Sequence, residues 1–345
     1  MARSVTQNAG DHGEHYITRD KKEYWAMFYS AAGGGVLIAL MALFKTYLGS
    51  IIDDKVWKGI AEGLNYGLGF MVIFMLHFTV ATKQPAMTAA RFAEAVEKTP
   101  QGKTVNMKLA QLLVDVFRSQ SIAVLGNVLI AMGLAALIAF GYQYKTGEPL
   151  MNADQIAYQL HSIDPFAGTL WFAAIAGVWL FCSGIISGYF DNRSNYLNMR
   201  MRLAQHPLLK KLMSEKTRVK FANYMHENYG SLIGNLCFGM LLGITGVVGY
   251  LTHLPLDIRH VAFSSANVGY IAVSGQFTYS LLLQCISFVL LIGLVNLIVS
   301  FSLTLWVALR SLNAEIDSWW PIWHEVCQIV KKRPLSLFLP IQLDK

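Results

Sequence analysis

The chain has 345 residues, of which 54% are hydrophobic and only 14% are Asp, Glu, Lys or Arg. Soluble domains carry about 25% charged residues, so this composition excludes an ordinary soluble globular protein. The apolar residues form separate runs, and the formal net charge of +7 lies mainly in the connections between them.

Six apolar runs are predicted to be transmembrane helices, because each is long enough to cross a hydrocarbon layer about 30 Å thick. They lie at residues 26–49, 57–82, 119–143, 167–190, 231–254 and 277–309. Residues 1–25 form a polar N-terminal segment without a signal peptide, so the first helix is expected to direct insertion. The predicted fold is an all-α polytopic membrane bundle, residues 26–309, followed by a tail, residues 310–345.

The distribution of Lys and Arg predicts the orientation of the bundle. Residues 1–25, 83–118, 191–230 and 310–345 carry four, six, eight and five basic residues, and all other segments together carry five. Basic residues are retained on the cytoplasmic side of a membrane. We therefore expect both termini and the loops 83–118 and 191–230 on the cytoplasmic side of a bacterial inner membrane. This bias explains the net charge without a nucleic-acid partner.

The two cytoplasmic loops contain amphipathic stretches. Ala86 to Lys98 is predicted to be a helix along the membrane surface. In 191–230, basic residues alternate with leucines, which predicts an interfacial helix attracted to anionic lipids of the bilayer. The alternatives for 191–230 are a docking surface for a cytoplasmic protein and a nucleic-acid contact. Residues 255–276 carry no charge after Arg259 and are expected to form a periplasmic cap or a re-entrant loop.

A weak internal repeat relates two of the predicted helices. Gly126-Asn127 and Gly234-Asn235 are each followed by a Met five residues after the Asn. This similarity suggests three helical hairpins arranged in parallel, and a chance likeness between Gly-rich helices is the alternative. Glycines at every fourth position in several helices predict close helix packing in a compact bundle rather than a specific dimer. A homo-oligomer is a further candidate assembly.

Polar residues inside the predicted helices are the candidates for a substrate or ion cavity. Glu62 is the only acid well inside a predicted span, and its alternative role is an ion pair with Lys58 on the same helix face. The other candidates are Asn65, His77, Asn127, Asn235 and Asn296. Hydrogen bonding between helices is the alternative role for these side chains.

Three further groups of residues bear on headgroup contact, on a periplasmic entrance and on metal binding. Lys83 and Gln84 are predicted to contact a lipid or substrate headgroup, with an interfacial anchor before Pro85 as the alternative. The candidates for a periplasmic entrance are His161, Asp164, Asp257, Arg259 and His260, and helix capping is their alternative role. The four cysteines show no metal-ligand spacing, and no motif for catalysis or for binding a cofactor is present.

Several stretches resemble a bacterial membrane family catalogued as "site-specific recombinase". They are His15–Tyr24, Leu76–Ala89 and Leu256–Val261. The resemblance implies that the chain corresponds to the C-terminal membrane half of longer members, so that a separate N-terminal half is a candidate partner. The family name implies DNA strand exchange, which needs a Tyr or Ser nucleophile beside an Arg cluster. No such cluster is recognisable among the cytoplasmic segments, and Arg259 and His260 fall on the predicted periplasmic side.

Three functional interpretations therefore remain open. The first is transport, or handling of a lipid or small molecule, through a polar cavity among the helices. The second is a membrane scaffold or assembly protein with a docking face on 191–230. The third is site-specific DNA recombination as the name of the resembled family implies. We favour the first, because intramembrane polar residues usually have a function.

Overall fold

The computed structural model describes residues 16–81, 84–97, 103–274 and 277–340 of the chain. Throughout these ranges the fold is all-α, without a strand. The helices are α1 Lys21–Ile51, α2 Lys55–Met75, α3 Gln84–Glu97, α4 Lys103–Thr146, α5 Ala153–Ile163, α6 Thr169–Tyr196, α7 Met199–Gln205, α8 Pro207–Leu212, α9 Glu215–Thr252, α10 Val261–Ala272, α11 Tyr279–Leu312 and α12 Trp319–Lys332. Short 3₁₀ helices lie at Pro165–Ala167 and Pro334–Leu337.

Five helices of the described chain are long and apolar enough to cross a membrane: α1, α4, α6, α9 and α11. The shortest of them, α6, has 28 residues, whereas about 20 suffice for a span. The structure therefore supports membrane association. By length and composition the described residues contain five candidate spans, not the predicted six. The prediction for 57–82 falls on α2, which ends at Met75 and whose Lys58, Glu62 and Asn65 lower its hydropathy.

Side-chain caps fix where several helices begin. Asp20 accepts a hydrogen bond from the backbone N–H of Glu23 at the start of α1, and Asp54 accepts two at the start of α2. Asn152 and Gln155 form a reciprocal capping box at the start of α5. These side chains satisfy backbone donors that have no partner within the helix.

The long helices pack side by side, with short connections at two opposite ends. We call the end at residues 52–54, where α1 passes into α2, the upper end, and the end at residues 16–20 the lower end. The closest crossing joins α2 and α9, which run in opposite directions. A Cβ atom on Gly239 would lie 2.0 Å from the backbone nitrogen of Gly67, and one on Gly243 would lie 2.4 Å from the Cα atom of Gly63. Only glycine permits this backbone approach, as the glycine spacing predicts.

Helix α10 lies inside the bundle. Ten of its twelve residues are buried, including Val261, Ser265 and Tyr270, and it packs against α1, α4, α5 and α11. The Tyr270 hydroxyl donates to the backbone carbonyl of Ala39 in the middle of α1. Its approach from Pro255 and its exit at Ser274 both belong to the upper end. Of the two expectations for 255–276, the structure therefore has the re-entrant form, with protein around its backbone, although residues 275 and 276 lie outside the description.

The predicted cytoplasmic loops are largely helical. Helix α3 buries Ala89, Phe92 and Ala93 against Leu305 and Ala308 of α11, so its apolar face contacts protein rather than the expected membrane surface. Helix α4 already begins at Lys103, within the predicted loop 83–118. In 191–230, the short helices α7 and α8 separate α6 from α9, and Arg218 holds α7 by donating to the carbonyl of Ala204.

The internal repeat inferred from the sequence does not describe this packing. The Asn127 side chain joins α4 to the 79–81 segment and α1, whereas the Asn235 side chain donates to Ser231 of its own helix. The two asparagines therefore occupy different environments, and three parallel hairpins are not the arrangement of the bundle. The likeness of the two sequences is therefore local and does not extend to the contacts that the helices make.

Candidate functional site

A polar cavity of about 640 Å³ opens at the upper end, between α1, α2, α5, α9 and the segment that leads into α10. We call this cavity the vestibule. Its basic lining residues are Lys45, Lys55, Lys58 and Arg259, and its acidic ones are Glu62, Asp154 and Asp257. Cavities that bind small molecules measure about 300–1,000 Å³ and hold a few convergent polar groups. The vestibule falls in this range and carries both charge signs.

The Glu62 carboxylate faces Lys45 of α1 within the vestibule. The Lys45 Nζ and Glu62 Oε2 atoms lie 3.5 Å apart, and 14% of the Glu62 side chain is exposed. The same ammonium group lies 5.7 Å from the centre of the Tyr66 ring, one turn below Glu62. Glu62 therefore pairs with a neighbouring helix and not with Lys58, whose ammonium packs beside Gly49. An ion pair at this depth avoids an isolated charge in a poorly hydrated site.

A second ion pair fixes the opposite wall. The Arg259 guanidinium donates to an Asp257 carboxylate oxygen at 2.6 Å and to the carbonyls of Ser162 and Ile258. Its planar fork can make several such bonds at once. The backbone N–H of Arg259 also donates to the carbonyl of Phe172. These bonds hold the non-helical segment before α10 against α5 and α6, and so shape the wall of the vestibule.

An aromatic layer closes the vestibule from below. It consists of Tyr66 and Phe70 of α2, Phe238 of α9, and His260 and Phe263 at the start of α10. The Tyr66 and Phe263 ring centres lie 4.5 Å apart, and those of Phe70 and Phe238 lie 5.1 Å apart. The His260 ring lies 5.7–6.1 Å from the three phenylalanine rings. At these separations the rings are in contact and form a continuous layer below the vestibule.

Below the aromatic layer lies a small space of about 30 Å³, which we call the lower pocket. Phe70, Ser231 and Asn235 line it from above, and Tyr16 and Val80 line it from the lower end. This volume admits about one or two water molecules. Burial raises the pKa of the Tyr16 hydroxyl, so this side chain stays protonated and neutral around pH 7. The lower pocket is thus narrow, and an uncharged phenol covers it.

The six residues predicted to form a cavity do not converge. Glu62 lines the vestibule, and Asn235 lines the lower pocket, where its amide donates to the carbonyl of Ser231. The Asn65 amide donates to the carbonyl of Met41 and joins α2 to α1. His77 follows the end of α2 in a left-handed conformation, with φ of 58° and an exposed side chain.

The remaining two residues hold non-helical backbone inside the bundle. Asn127 accepts from the N–H of Ala81 at 2.8 Å and donates to the carbonyl of Thr79 at 2.9 Å. Asn296 accepts from the N–H of Val261 at 3.2 Å and donates to the carbonyl of Arg259 at 3.0 Å. Both side chains are at most 1% exposed, as required of amides that replace water around buried backbone.

The predicted entrance residues separate into three roles. Asp257 and Arg259 line the vestibule as an ion pair. Asp164 caps the short helix Pro165–Ala167 by accepting from the N–H of Phe166, and His161 is exposed beside it. His260 belongs to the aromatic layer and is 1% exposed. Lys83 and the side chain of Gln84 lie outside the described residues.

Sequence reasoning missed several lining residues. Lys45 lies inside the first predicted span, where an intramembrane cation is a recognisable signal for a site residue. Tyr66 is four positions after Glu62 and so shares its helix face, which is a recognisable signal. Asp154 and Tyr158 of α5 gave no signal, because their proximity to Glu62 arises only from tertiary packing. Among the described residues, no group of three His, Cys, Asp or Glu side chains is placed to hold a metal ion.

Comparison with known proteins gives one result. A family model described as "Site-specific recombinase" matches residues 1–340, which is nearly the whole chain. No curated protein and no solved structure matches this chain.

Proposed function

This chain belongs to the site-specific recombinase family, and we propose that it is a membrane transporter that binds a small zwitterionic solute in the vestibule. The observation that carries the proposal is the Lys45–Glu62 ion pair beneath a polar cavity that ends at an aromatic layer. Charged side chains within membrane helices are costly and usually mark the path of a substrate or an ion. A cavity closed at mid-bundle binds a solute and prevents its free passage.

The two charges of the ion pair indicate the class of solute. A solute with one ammonium and one acidic group would place the ammonium at Glu62 and the acidic group at Lys45. Binding of such a solute would replace the Lys45–Glu62 ion pair by two ion pairs with the solute, and it would leave no isolated charge in the site. A purely anionic or cationic solute would leave one member of the pair unmatched. The vestibule contains one basic residue more than acidic ones, so its overall charge disfavours cations.

We further propose that α2 is a sixth span and that the lower end faces the cytoplasm. Helix α2 has 21 residues, enough to cross, and its polar side chains face protein or the vestibule rather than lipid. The lower end carries exposed basic residues, among them Arg200, Lys210 and Lys331. The positive-inside rule then directs the vestibule to the periplasm of a bacterial inner membrane.

The exposed face of α7 and α8 is proposed to contact anionic lipid. Leu208 and Leu212 are 61% and 78% exposed beside Lys210 and Lys211. Apolar residues next to basic ones are typical of a segment at a charged membrane surface. A protein partner on this face is the alternative that a scaffold would use.

The family description favours a second candidate function, DNA recombination, which the geometry does not support. Arg259 and His260 lie in the bundle interior, bound to backbone carbonyls or packed among aromatic rings. The exposed basic residues of the lower end, among them those of 199–220, are the ones that could contact DNA phosphates. Titration of the purified protein with a duplex at low and high salt tests this function. We expect no salt-dependent DNA binding.

The transport proposal is tested by native mass spectrometry of gently extracted protein. The wild type is compared with Glu62→Gln and with Glu148→Gln, whose exposed side chain lies outside the vestibule. We expect a small zwitterionic molecule bound to the wild type and to Glu148→Gln, and its loss from Glu62→Gln. If Glu62→Gln retains the same molecule, or if all three proteins are free of any, the vestibule is not a binding site for such a solute.

A further inference from the structure

The side chains of Asn127 and Asn296 make the same three kinds of hydrogen bond. Each accepts from one backbone N–H, of Ala81 or Val261, and donates to the carbonyl two residues earlier in the chain. Each then donates to a carbonyl of a neighbouring long helix, Ala31 in α1 for Asn127 and Ala173 in α6 for Asn296. The bonded N–H belongs to the first residue of the short helix α10 in one case and lies shortly before the short helix α3 in the other.

The equivalence extends to the helices around the two asparagines. In chain order, α1, α2, α3 and α4 correspond to α6, α9, α10 and α11. The contacts agree with this correspondence, because α1 packs on α4 as α6 packs on α11, and α10 packs on α4 as α3 packs on α11. Helices α2 and α9 correspond to each other and form the closest crossing of the bundle, at Gly63, Gly67, Gly239 and Gly243.

Equivalent helices run in opposite directions. Helix α1 begins at the lower end, whereas α6 begins at the upper end, where its first residue, Thr169, bonds to the vestibule residue Ser162. The short helix α10 is reached from the upper end and α3 from the lower end. The two halves are therefore related by a pseudo-twofold axis between α2 and α9, parallel to the membrane plane.

We infer that residues 21–146 and 169–312 form an inverted-topology repeat, and that the vestibule and the lower pocket are its two alternately open sides. This inference rests on the proposed function. Inverted repeats give a protein two conformations of similar energy, in which the halves exchange roles and a central site faces one side and then the other. In the structure the vestibule is open, and the lower pocket is narrow and lined by Phe70 and Tyr16 among others.

The vestibule and the lower pocket differ in volume, as two conformations that exchange the roles of the halves require. Above the aromatic layer the cavity measures about 640 Å³, and below it the lower pocket measures about 30 Å³. Val80 lines the lower pocket and is the residue before Ala81, whose N–H donates to Asn127. His260 lies in the aromatic layer and is the residue before Val261, whose N–H donates to Asn296. Equivalent backbone positions thus lie in the aromatic layer below the vestibule and in the lower pocket. Rocking of one half against the other about the glycine crossing would widen the lower pocket and close the vestibule.

Accessibility of single cysteines from each membrane face tests this inference. On a background without Cys182, Cys237, Cys285 and Cys327, Ser264→Cys reports on the vestibule and Ser231→Cys on the lower pocket. A membrane-impermeant methanethiosulfonate is applied to right-side-out and to inverted vesicles. His253→Cys and Asn198→Cys, at exposed positions of the upper and lower ends, calibrate each preparation.

We expect Ser264→Cys to react from the upper face and Ser231→Cys to react from the lower face, because each side opens in one of the two conformations. Failure of Ser231→Cys to react from the lower face would overturn alternating access even if a solute binds in the vestibule. Conversely, reaction of Ser231→Cys from the lower face without any bound solute would uphold the inference and exclude the zwitterion as the solute. Should Ser264→Cys fail to fold, Thr46→Cys serves as the vestibule reporter.

Discussion

The amides of Asn127 and Asn296 are expected to contribute more to stability than any other intramembrane asparagine of the described chain. Their removal leaves backbone groups such as the Ala81 N–H and the Arg259 carbonyl buried without a partner. Each such group costs about 1–3 kcal/mol. We therefore expect Asn127→Ala and Asn296→Ala each to lower the thermal stability in detergent strongly, as measured by loss of the monodisperse peak after heating.

Asn235→Ala is the matched control for these two changes. Its amide donates to a carbonyl of its own helix, four residues earlier, and holds no segment. Its loss should cost about 0.5–1.5 kcal/mol, the usual net value of one hydrogen bond. Equal losses of stability for all three alanine variants would contradict the clamping role of Asn127 and Asn296.

The Lys45–Glu62 ion pair gives a second prediction, which concerns the free energy of unfolding. Lys45→Met and Glu62→Gln each leave one charge without its partner in a half-buried site. In a double-mutant cycle, the combined variant should be less destabilised than the sum of the single ones, by about 1 kcal/mol, because 37% of the Lys45 side chain remains exposed. Strict additivity of the unfolding midpoints in the cycle would show that the two groups do not interact.

At the scale of the elements, hydropathy located the apolar parts of the long helices, but α4 begins at Lys103 and α9 at Glu215, well before the predicted 119 and 231, and α10 was not predicted as a helix. The polar face of α2 lowers the mean hydropathy by which a membrane span is recognised. In the folded bundle this face contacts α1 and lines the vestibule. Helix α10 is only twelve residues long, too short to be told from a surface loop by length. Its first residue is bonded to Asn296, which is distant in sequence, so α10 could not be placed from its own residues alone.

The crossing of α2 and α9 gives a prediction at the element scale. A methyl group on Gly239 would meet the backbone of Gly67 at 2.0 Å, and backbone atoms cannot move away as a side chain can. We expect Gly239→Ala to separate the two helices and to cost about 1–3 kcal/mol of stability. Gly133→Ala on α4 meets no atom within 4 Å and should be neutral or stabilising by up to about 1 kcal/mol. Thermal unfolding of both variants in the same detergent measures the difference.

For the whole molecule, the candidate site could be predicted only in part. Glu62 was found because an acid inside an apolar run is conspicuous, and Asp257 and Arg259 because they stand beside a helix end. The partner of Glu62 was not found, because Lys45 lies on another helix and its distance from Glu62 is set by packing. The inverted relation of the halves was also missed, since side-chain roles such as those of Asn127 and Asn296 recur while the surrounding residues differ.

The topology of the whole chain can be decided by labelling two positions. If α2 crosses the membrane, Asp53 and Asn198 lie on opposite faces, because α2, α4 and α6 together cross three times between them. If α2 does not cross, only α4 and α6 do, and the two positions lie on the same face. The same impermeant thiol reagent, applied to Asp53→Cys and Asn198→Cys on the cysteine-free background, distinguishes these cases. We expect Asp53→Cys to be labelled in right-side-out vesicles and Asn198→Cys in inverted ones. Labelling of both in the same preparation would reduce the bundle to five spans and remove the inverted repeat with it.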